Sequence, residues 1–137
     1  KHGTDRVTRQ LKKFGVKAVP IHGGRSQNQR NRALAAFSDG HAQALIATDV
    51  AARGIHVDDV DVVIHYYPPS DHKTYLHRSG RTARAGEKGL VVSLVLWNQE
   101  LEVRRMQKRL GLDLPLVEMF SNDPRLADLS NWDPTAD

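Results

Sequence analysis

Hydrophobic and polar positions along this chain alternate between a helical and a strand period. Apolar residues recur at helical spacing within residues 5–14, 26–40, 71–80 and 98–110. Mainly apolar stretches of strand length lie between and after them, at residues 17–21, 44–48, 60–66 and 89–95. Strands that alternate with helices are typical of an α/β fold, in which helices flank a parallel sheet.

The first helix is predicted to run from Asp5 to Phe14, with Thr4 or Asp5 as its cap. Both residue types accept hydrogen bonds from the free amides of a first turn. Val7, Leu11 and Phe14 fall on one face, and we expect that face to be buried.

The second helix carries clear signals at both ends. Ser26 followed by Gln29 is a capping box, because each side chain can bond the other residue's backbone amide. Gly40 is predicted to end the helix in a left-handed turn. Its buried stripe is expected to comprise Ala33, Leu34 and Phe37.

Two further helices are predicted in the second half of the chain. Ser70 or Asp71 caps the first of them, and Gly80 closes it. Asn98 is predicted to cap the last helix, and we expect Trp97, which follows an apolar strand, to pack in the core.

Composition indicates a globular protein, since apolar residues make up 39% and charged residues 26% of the chain. No apolar run approaches the ~20 residues of a membrane span, so no membrane association is expected. Cysteine is absent, which excludes disulfides and thiolate metal sites and fits a cytoplasmic location. The chain begins with Lys rather than Met, so we expect it to be part of a longer protein.

Charge is distributed unevenly. Residues 1–120 carry 19 lysines and arginines against 12 acidic residues, whereas residues 121–137 carry one arginine against four aspartates. The basic part suggests an anionic partner such as nucleic acid. We therefore divide the chain into a domain at 1–120 and an acidic C-terminal tail at 121–137, which is expected to be irregular.

The densest cluster of chemistry is the stretch from His77 to Arg84, HRSGRTAR, which holds three arginines and a histidine. A guanidinium group is permanently charged, and its fork matches two phosphate oxygens at once. Such groups can stabilise the charge that develops during transfer of a γ-phosphoryl group. The chain contains no Gly-x-x-x-x-Gly-Lys-Ser/Thr loop and no Asp-Glu-Ala-Asp, so nothing in it would cradle the triphosphate.

Two other motifs lie beside predicted strand ends. The segment ATDVAARGI at 47–55 directly follows a strand, where ligands gather in open α/β sheets. Gln27-x-x-Arg30 follows Gly23 and Gly24, and glycines permit a close approach of a nucleic-acid backbone.

Together these motifs resemble the C-terminal RecA-like domain of DEAD-box ATP-dependent RNA helicases of superfamily 2, most closely the bacterial members, over about residues 1–120. The resemblance implies a three-layer RecA-like parallel sheet flanked by helices. The family's usual first strand, which ends in a Phe-x-x-Thr-like motif, is not found in this chain. Because a gap in a sheet leaves backbone groups unpaired, a strand swapped from a second copy in an oligomer is one hypothesis for what fills that place.

The resemblance also implies roles for individual residues. Arg81 and Arg84 match arginine fingers that reach the γ-phosphate, while His77 and Arg78 match positions that organise the contact between domains. RNA-backbone contacts are implied for Gly23, Gly24, Arg30 and Thr48, and Asp49 and Arg53 match positions that link the RNA and ATP sites.

Two positions depart from the family pattern. The family usually has an aspartate that contacts the ATP ribose where this chain has His56, after Gly54. An imidazole can still hydrogen-bond a hydroxyl, and Asp58 is a nearby substitute. Tyr67 stands where the family often has an aspartate before a proline.

The implied function is that of one half of an RNA helicase. ATP and Mg²⁺ would be held mainly by a separate N-terminal RecA-like domain, and this chain would add the arginine fingers and contact the RNA backbone for local unwinding or remodelling of RNA–protein complexes. The isolated chain is predicted to be inactive, and no metal site is expected within it. The alternatives are a non-catalytic module that binds RNA or a partner, and a DNA-directed helicase domain of superfamily 2.

Overall fold

The computed structural model of this protein describes residues 2–22, 26–49, 60–69, 71–79 and 89–135. The chain divides into two compact units, Lys1–Val57 and Asp58–Asp137. Each unit contains one pair of parallel strands with helices, as the α/β pattern predicts. Within the described residues, no helix has the length and apolar character needed to cross a membrane.

Among its described residues, the first unit contains two helices and two strands in alternation. They are α1 (His2–Lys13), β1 (Ala18–Ile21), α2 (Gln27–Ser38) and β2 (Ala44–Ala47). The strands pair in parallel, with Ala18 opposite Ala44 and Ile21 opposite Ala47. Both carboxyl ends therefore lie at the same edge of the sheet.

The core of the first unit forms where α2 covers this strand pair. Ile21 and Ala33 are buried together, and three partly buried side chains pack against them: Val19, Leu34 and Leu45. The predicted stripe of α2 is thus only partly confirmed, since Leu34 and Phe37 keep some exposure.

The second unit contains β3 (Val62–His65), α3 (His72–Ser79), β4 (Leu90–Ser93), a 3-10 turn (Trp97–Gln99), α4 (Glu100–Leu110) and a 3-10 segment (Pro124–Asn131). β3 and β4 are parallel, with Val62 opposite Leu90 and His65 opposite Ser93. All four residues of β4 are half-buried.

The predicted ends of α2 are confirmed. Ser26 Oγ accepts from the Gln29 amide at 3.2 Å, and Gln29 Oε1 accepts from the Ser26 amide at 2.9 Å. After α2 and α4 the backbone turns left-handed at Gly40 (φ 82°) and Gly111 (φ 74°), where L-residues with a Cβ are strained. A Cβ atom at either glycine would meet nothing within 4 Å.

The prediction for α1 was wrong at its start, whereas its end at Lys13 lies one residue before the predicted Phe14. The helix begins by His2, so Thr4 and Asp5 lie within it rather than capping it. Thr4 and Thr8 are buried. The Thr8 hydroxyl donates a hydrogen bond to the Thr4 carbonyl at 2.8 Å, so it is satisfied within the helix. Phe14 lies beyond the helix end and is 85% exposed.

Two predictions near α4 and the tail also need correction. Trp97 is 85% exposed rather than in the core, because it starts a 3-10 turn that precedes α4. That turn is held by Gln99 Oε1, which accepts from the Leu96 amide, and Asn98 does not cap the helix. The acidic tail is not irregular throughout, since Asp123 caps the 3-10 segment by accepting from the Arg125 amide.

Candidate functional site

The second unit places the start of the arginine cluster on α3, next to the end of β3. Asp71 begins this helix, since its Oδ1 accepts from the Thr74 amide at 2.7 Å. That backbone hydrogen bond lowers the pKa of Asp71, because it favours the ionised carboxylate. Asp71, one of the two predicted caps, is thus confirmed, whereas Ser70 and Gly80 lie outside the described residues.

His65 fastens the end of β3 to α3. Its side chain is 1% exposed and meets the edge of the Tyr75 ring at 5.1 Å between ring centroids. Its Nε2 lies 3.5 Å from Ser79 Oγ, the outer limit of a hydrogen bond. Because Tyr75 and Ser79 are four residues apart, they share one helix face. The last turn of α3, from which residues 80–84 follow, is therefore fixed to the strand.

Arg78 reinforces that attachment from another side. Its Nη1 donates to the Tyr67 carbonyl at 2.9 Å, which ties α3 to the loop after β3. His77, by contrast, is exposed. These are the two members of the predicted catalytic group that the structure describes, and Arg78 makes a contact inside its own unit.

In the first unit, the candidate RNA residues follow the carboxyl ends of the two strands. Thr48 comes directly after β2 and is half-buried, and Asp49 is exposed. Arg30 lies in the first turn of α2, where its amide donates to the Ser26 carbonyl at 3.0 Å. Because the strands are parallel, His22 after β1 and Thr48 after β2 emerge at the same edge.

A contact between a buried histidine and a partly exposed carboxylate lies at this edge. His22 is 4% exposed, and its Nε2 lies 3.1 Å from both carboxylate oxygens of Asp5 on α1. The pair attaches the end of β1 to the first helix, immediately before the residues of the Gly23-Gly24 motif. Carboxylate oxygens bonded to an imidazole hold its ring orientation, so the strand end is fixed.

The remaining predicted site residues lie outside the described residues, and their assignments stay predictions. They are Gly23, Gly24, Arg53, Gly54, His56, Asp58, Arg81 and Arg84. Within the described residues, no group of three or more His, Asp or Glu side chains could hold a metal ion.

Sequence reasoning missed three structural contributors: the Asp5–His22 pair, buried His65, and the Tyr67 carbonyl. Asp5 and His22 are 17 residues apart and His65 and Ser79 are 14 apart, so no local pattern links them. One signal was present in the sequence, namely that both histidines end or directly follow an apolar strand.

Comparison with known protein families identifies residues 1–86 as a match to the helicase conserved C-terminal domain. A curated relative from Meyerozyma guilliermondii, the ATP-dependent rRNA helicase RRP3, is 50% identical over 113 residues, which cover 82% of this chain and 24% of that protein. The DEAD-box ATP-dependent RNA helicase CshC of Bacillus cereus is 42% identical over 116 residues, 85% of this chain and 30% of that protein. The chain therefore spans between about a quarter and a third of these relatives.

Among solved structures, a DEAD box protein from the hyperthermophile Methanococcus jannaschii superposes with a TM-score of 0.79 at 36% identity. The match covers 86% of this chain and 32% of that protein. The predicted α/β class with RecA-like architecture is confirmed by this likeness.

Proposed function

We propose that this chain supplies arginine fingers to ATP bound by another domain. The premise is that the chain belongs to the family of helicase conserved C-terminal domains and, within it, to the DEAD-box RNA helicases. One observation carries the proposal. The stretch that matches the family, residues 1–86, spans every candidate site residue from Gly23 to Arg84. The motifs therefore occur together, in family order, within one matched segment.

The catalytic contribution is electrostatic. As the γ-phosphoryl group leaves ADP, negative charge accumulates on its oxygens and on the leaving oxygen. Arg81 and Arg84 would place permanently charged forks against those oxygens. The attachment of α3 through His65 and Arg78 supports this role, because a group that stabilises a transition state must be held in place before the reaction.

ATP and Mg²⁺ are proposed to be held mainly by a preceding RecA-like domain. This chain carries neither a phosphate-binding loop nor an Asp-Glu-Ala-Asp motif. The ion, when bound, would neutralise charge on the phosphates. We assign no metal ligand within the described residues, and we propose His56, Gly54 and Asp58 as additional contacts to the nucleotide from this chain.

RNA is proposed to lie along the edge where β1 and β2 end. Gly23, Gly24, Arg30, Thr48, Asp49 and Arg53 would contact its sugar-phosphate backbone. Contacts to phosphate and sugar carry no sequence information, so we expect weak sequence preference. Closure of two domains on a bent single strand would exclude a regular duplex and separate the strands locally, and hydrolysis would reopen the cleft.

The test is an Arg84→Ala substitution in the full-length protein. We expect RNA-stimulated ATP turnover to fall ~10³-fold or more while the protein still binds ATP, because the finger acts on the transition state. Arg84→Lys should recover only part of the rate, since an ammonium group lacks the planar fork.

Arg9→Ala is the matched control, because Arg9 is exposed on α1 and has no assigned role. Unchanged turnover in Arg84→Ala would refute the arginine-finger role. Stimulation by single-stranded DNA equal to that by RNA would instead favour a DNA-directed helicase, and the absence of any ATPase activity would favour a binding module.

A further inference from the structure

The last helix of the second unit, α4, has one strongly basic side. Val103 and Met106 are buried against the unit. Four cationic side chains are exposed on the remaining surface: Arg104, Arg105, Lys108 and Arg109. Since residues four apart are neighbours on a helix, they form two adjacent rows, 104/108 and 105/109. We call these four residues the basic face of α4.

The basic face has no neutralising partner among the described residues. None of its four side chains makes an ion pair or a hydrogen bond there, although Glu100 lies one turn before Arg104. Like charges four residues apart destabilise a helix. The negative end of the helix dipole offsets this repulsion for Lys108 and Arg109 in the last turn. It does not offset it for Arg104 and Arg105, which lie in the middle of the helix.

Two of these cations also border a cleft. Arg104 and Lys108 line it together with Gln107, Leu112, Asp113 and Leu114. Gln107 Oε1 accepts from the Leu114 amide at 2.7 Å, so the segment after Gly111 is held against the helix. Arg104 and Lys108 therefore lie beside the segment that follows Gly111, which includes the acidic side chain of Asp113.

We propose that the basic face of α4 binds the phosphate backbone of RNA outside the conserved motifs. This inference rests on the proposed function. Three of the four cations are arginines, whose forks match phosphate oxygens. Residues four apart are separated by ~6 Å along the axis, so each row presents successive charges to an extended polyanion. A membrane surface fits less well, because Val103 and Met106 of α4 are buried against the unit and Leu101 is the one large apolar side chain of this helix that is exposed.

The test compares two double variants of the full-length protein. One is Arg104→Gln with Arg105→Gln, and the matched control is Arg6→Gln with Arg9→Gln, which removes the same charge from exposed positions on α1. RNA affinity is measured across a range of salt concentrations for a short and a long single strand. Circular dichroism and thermal melting check that both variants fold.

We expect the α4 variant to bind the long RNA about tenfold more weakly than wild type at low salt, with little change for the short RNA. The slope of log affinity against log salt is negative, and its magnitude should decrease by about 0.7 for each phosphate that the variant no longer neutralises. Equal weakening for both lengths, or an α4 variant that behaves like the α1 control, would overturn the proposal. Binding of polyglutamate as tight as that of RNA would also overturn it and favour an acidic protein partner.

A separate measurement distinguishes failure of this inference from failure of the proposed function. ATP turnover stimulated by the short RNA should be the same in the α4 variant and in wild type. If the wild-type protein shows no RNA-stimulated turnover at all, the proposed function fails. If turnover is normal but the α4 variant binds long RNA as tightly as wild type does, only the RNA-binding role of the basic face is refuted.

Discussion

Two buried histidines lie at the carboxyl ends of two strands, and each contacts a different helix. His22 after β1 pairs with Asp5 on α1, and His65 at the end of β3 contacts Tyr75 and Ser79 on α3. A buried polar ring is costly unless its nitrogens are bonded, so each contact helps to make the burial tolerable. Both histidines therefore hold elements that carry candidate site residues.

The Asp5–His22 pair yields a prediction about stability. Asp5→Asn replaces a two-oxygen acceptor by an amide with one acceptor, and the His22 ring stays buried. We expect the free energy of unfolding to fall by about 1 kcal/mol, because a hydrogen bond to a charged acceptor contributes more than one to a neutral amide oxygen. Denaturant titration would measure it. Asp39→Asn removes an exposed carboxylate and should change little; an equally small change for Asp5→Asn would show that the pair does not stabilise the unit.

At the scale of elements, the best predictions were those that depend on neighbours in sequence. The capping box joins Ser26 to Gln29 within one turn, and the role of Gly40 follows from the geometry of a helix end. Trp97 was misplaced because an apolar run before it indicates burial only if the chain continues as strand, and here it enters a 3-10 turn. The Asp5–His22 contact joins a helix and a strand, so it depends on packing that no local pattern specifies.

The capped tail segment carries a prediction about pH. Hydrogen bonds from the Arg125 side chain, at 2.9 Å from Nε and 2.7 Å from Nη2, lower the pKa of Asp123 from 3.8 to about 2. The pKa of Asp123 is lower in the folded chain than in the unfolded chain. Its ionised carboxylate therefore contributes fully to stability above a pH of about 4, and this contribution is lost as the pH falls towards 2.

The same Arg125 guanidinium lies 5.3 Å from the centre of the Trp132 ring, which gives the titration a second readout. Carboxyl ¹³C shifts should give Asp123 a midpoint near 2, and the indole signal of Trp132 should change over the same range. Arg125→Gln should move the midpoint towards 3.8. A midpoint near 3.8 in the unsubstituted chain would contradict the contact.

At the scale of the whole molecule, the candidate residues divide between the two units along the chain. The RNA contacts that the conserved motifs imply, from Gly23 to Arg53, fall in Lys1–Val57 together with the proposed nucleotide contacts Gly54 and His56. The arginine cluster from His77 to Arg84 and the basic face of α4 fall in Asp58–Asp137. The motifs themselves were readable from sequence, since each is short and continuous, but the sequence predicted a single domain at 1–120 and not two units. The anchoring of α3 by His65 and the Tyr67 carbonyl was not readable, because it joins a strand end to a helix 10 to 14 residues away.

This division predicts separable defects in the full-length protein. Thr48→Val removes a hydroxyl that can donate to phosphate, so RNA affinity should fall severalfold while turnover at saturating RNA stays near normal. Arg84→Ala should do the reverse, with RNA affinity kept and turnover abolished. Binding isotherms and ATPase rates on both variants would check this. If both variants were equally impaired in both properties, the two roles could not be assigned to separate units.

The left-handed turns after α2 and α4 have a consequence for chirality. Gly40 and Gly111 adopt positive φ, yet open space surrounds the position of a missing Cβ at each. The constraint is therefore one of handedness and not of volume. An L-alanine would be strained there, whereas its mirror image favours that backbone region and would also restrict the unfolded chain. A D-alanine placed at either position by chemical ligation would fit a turn that most genetically encoded residues other than glycine fit poorly.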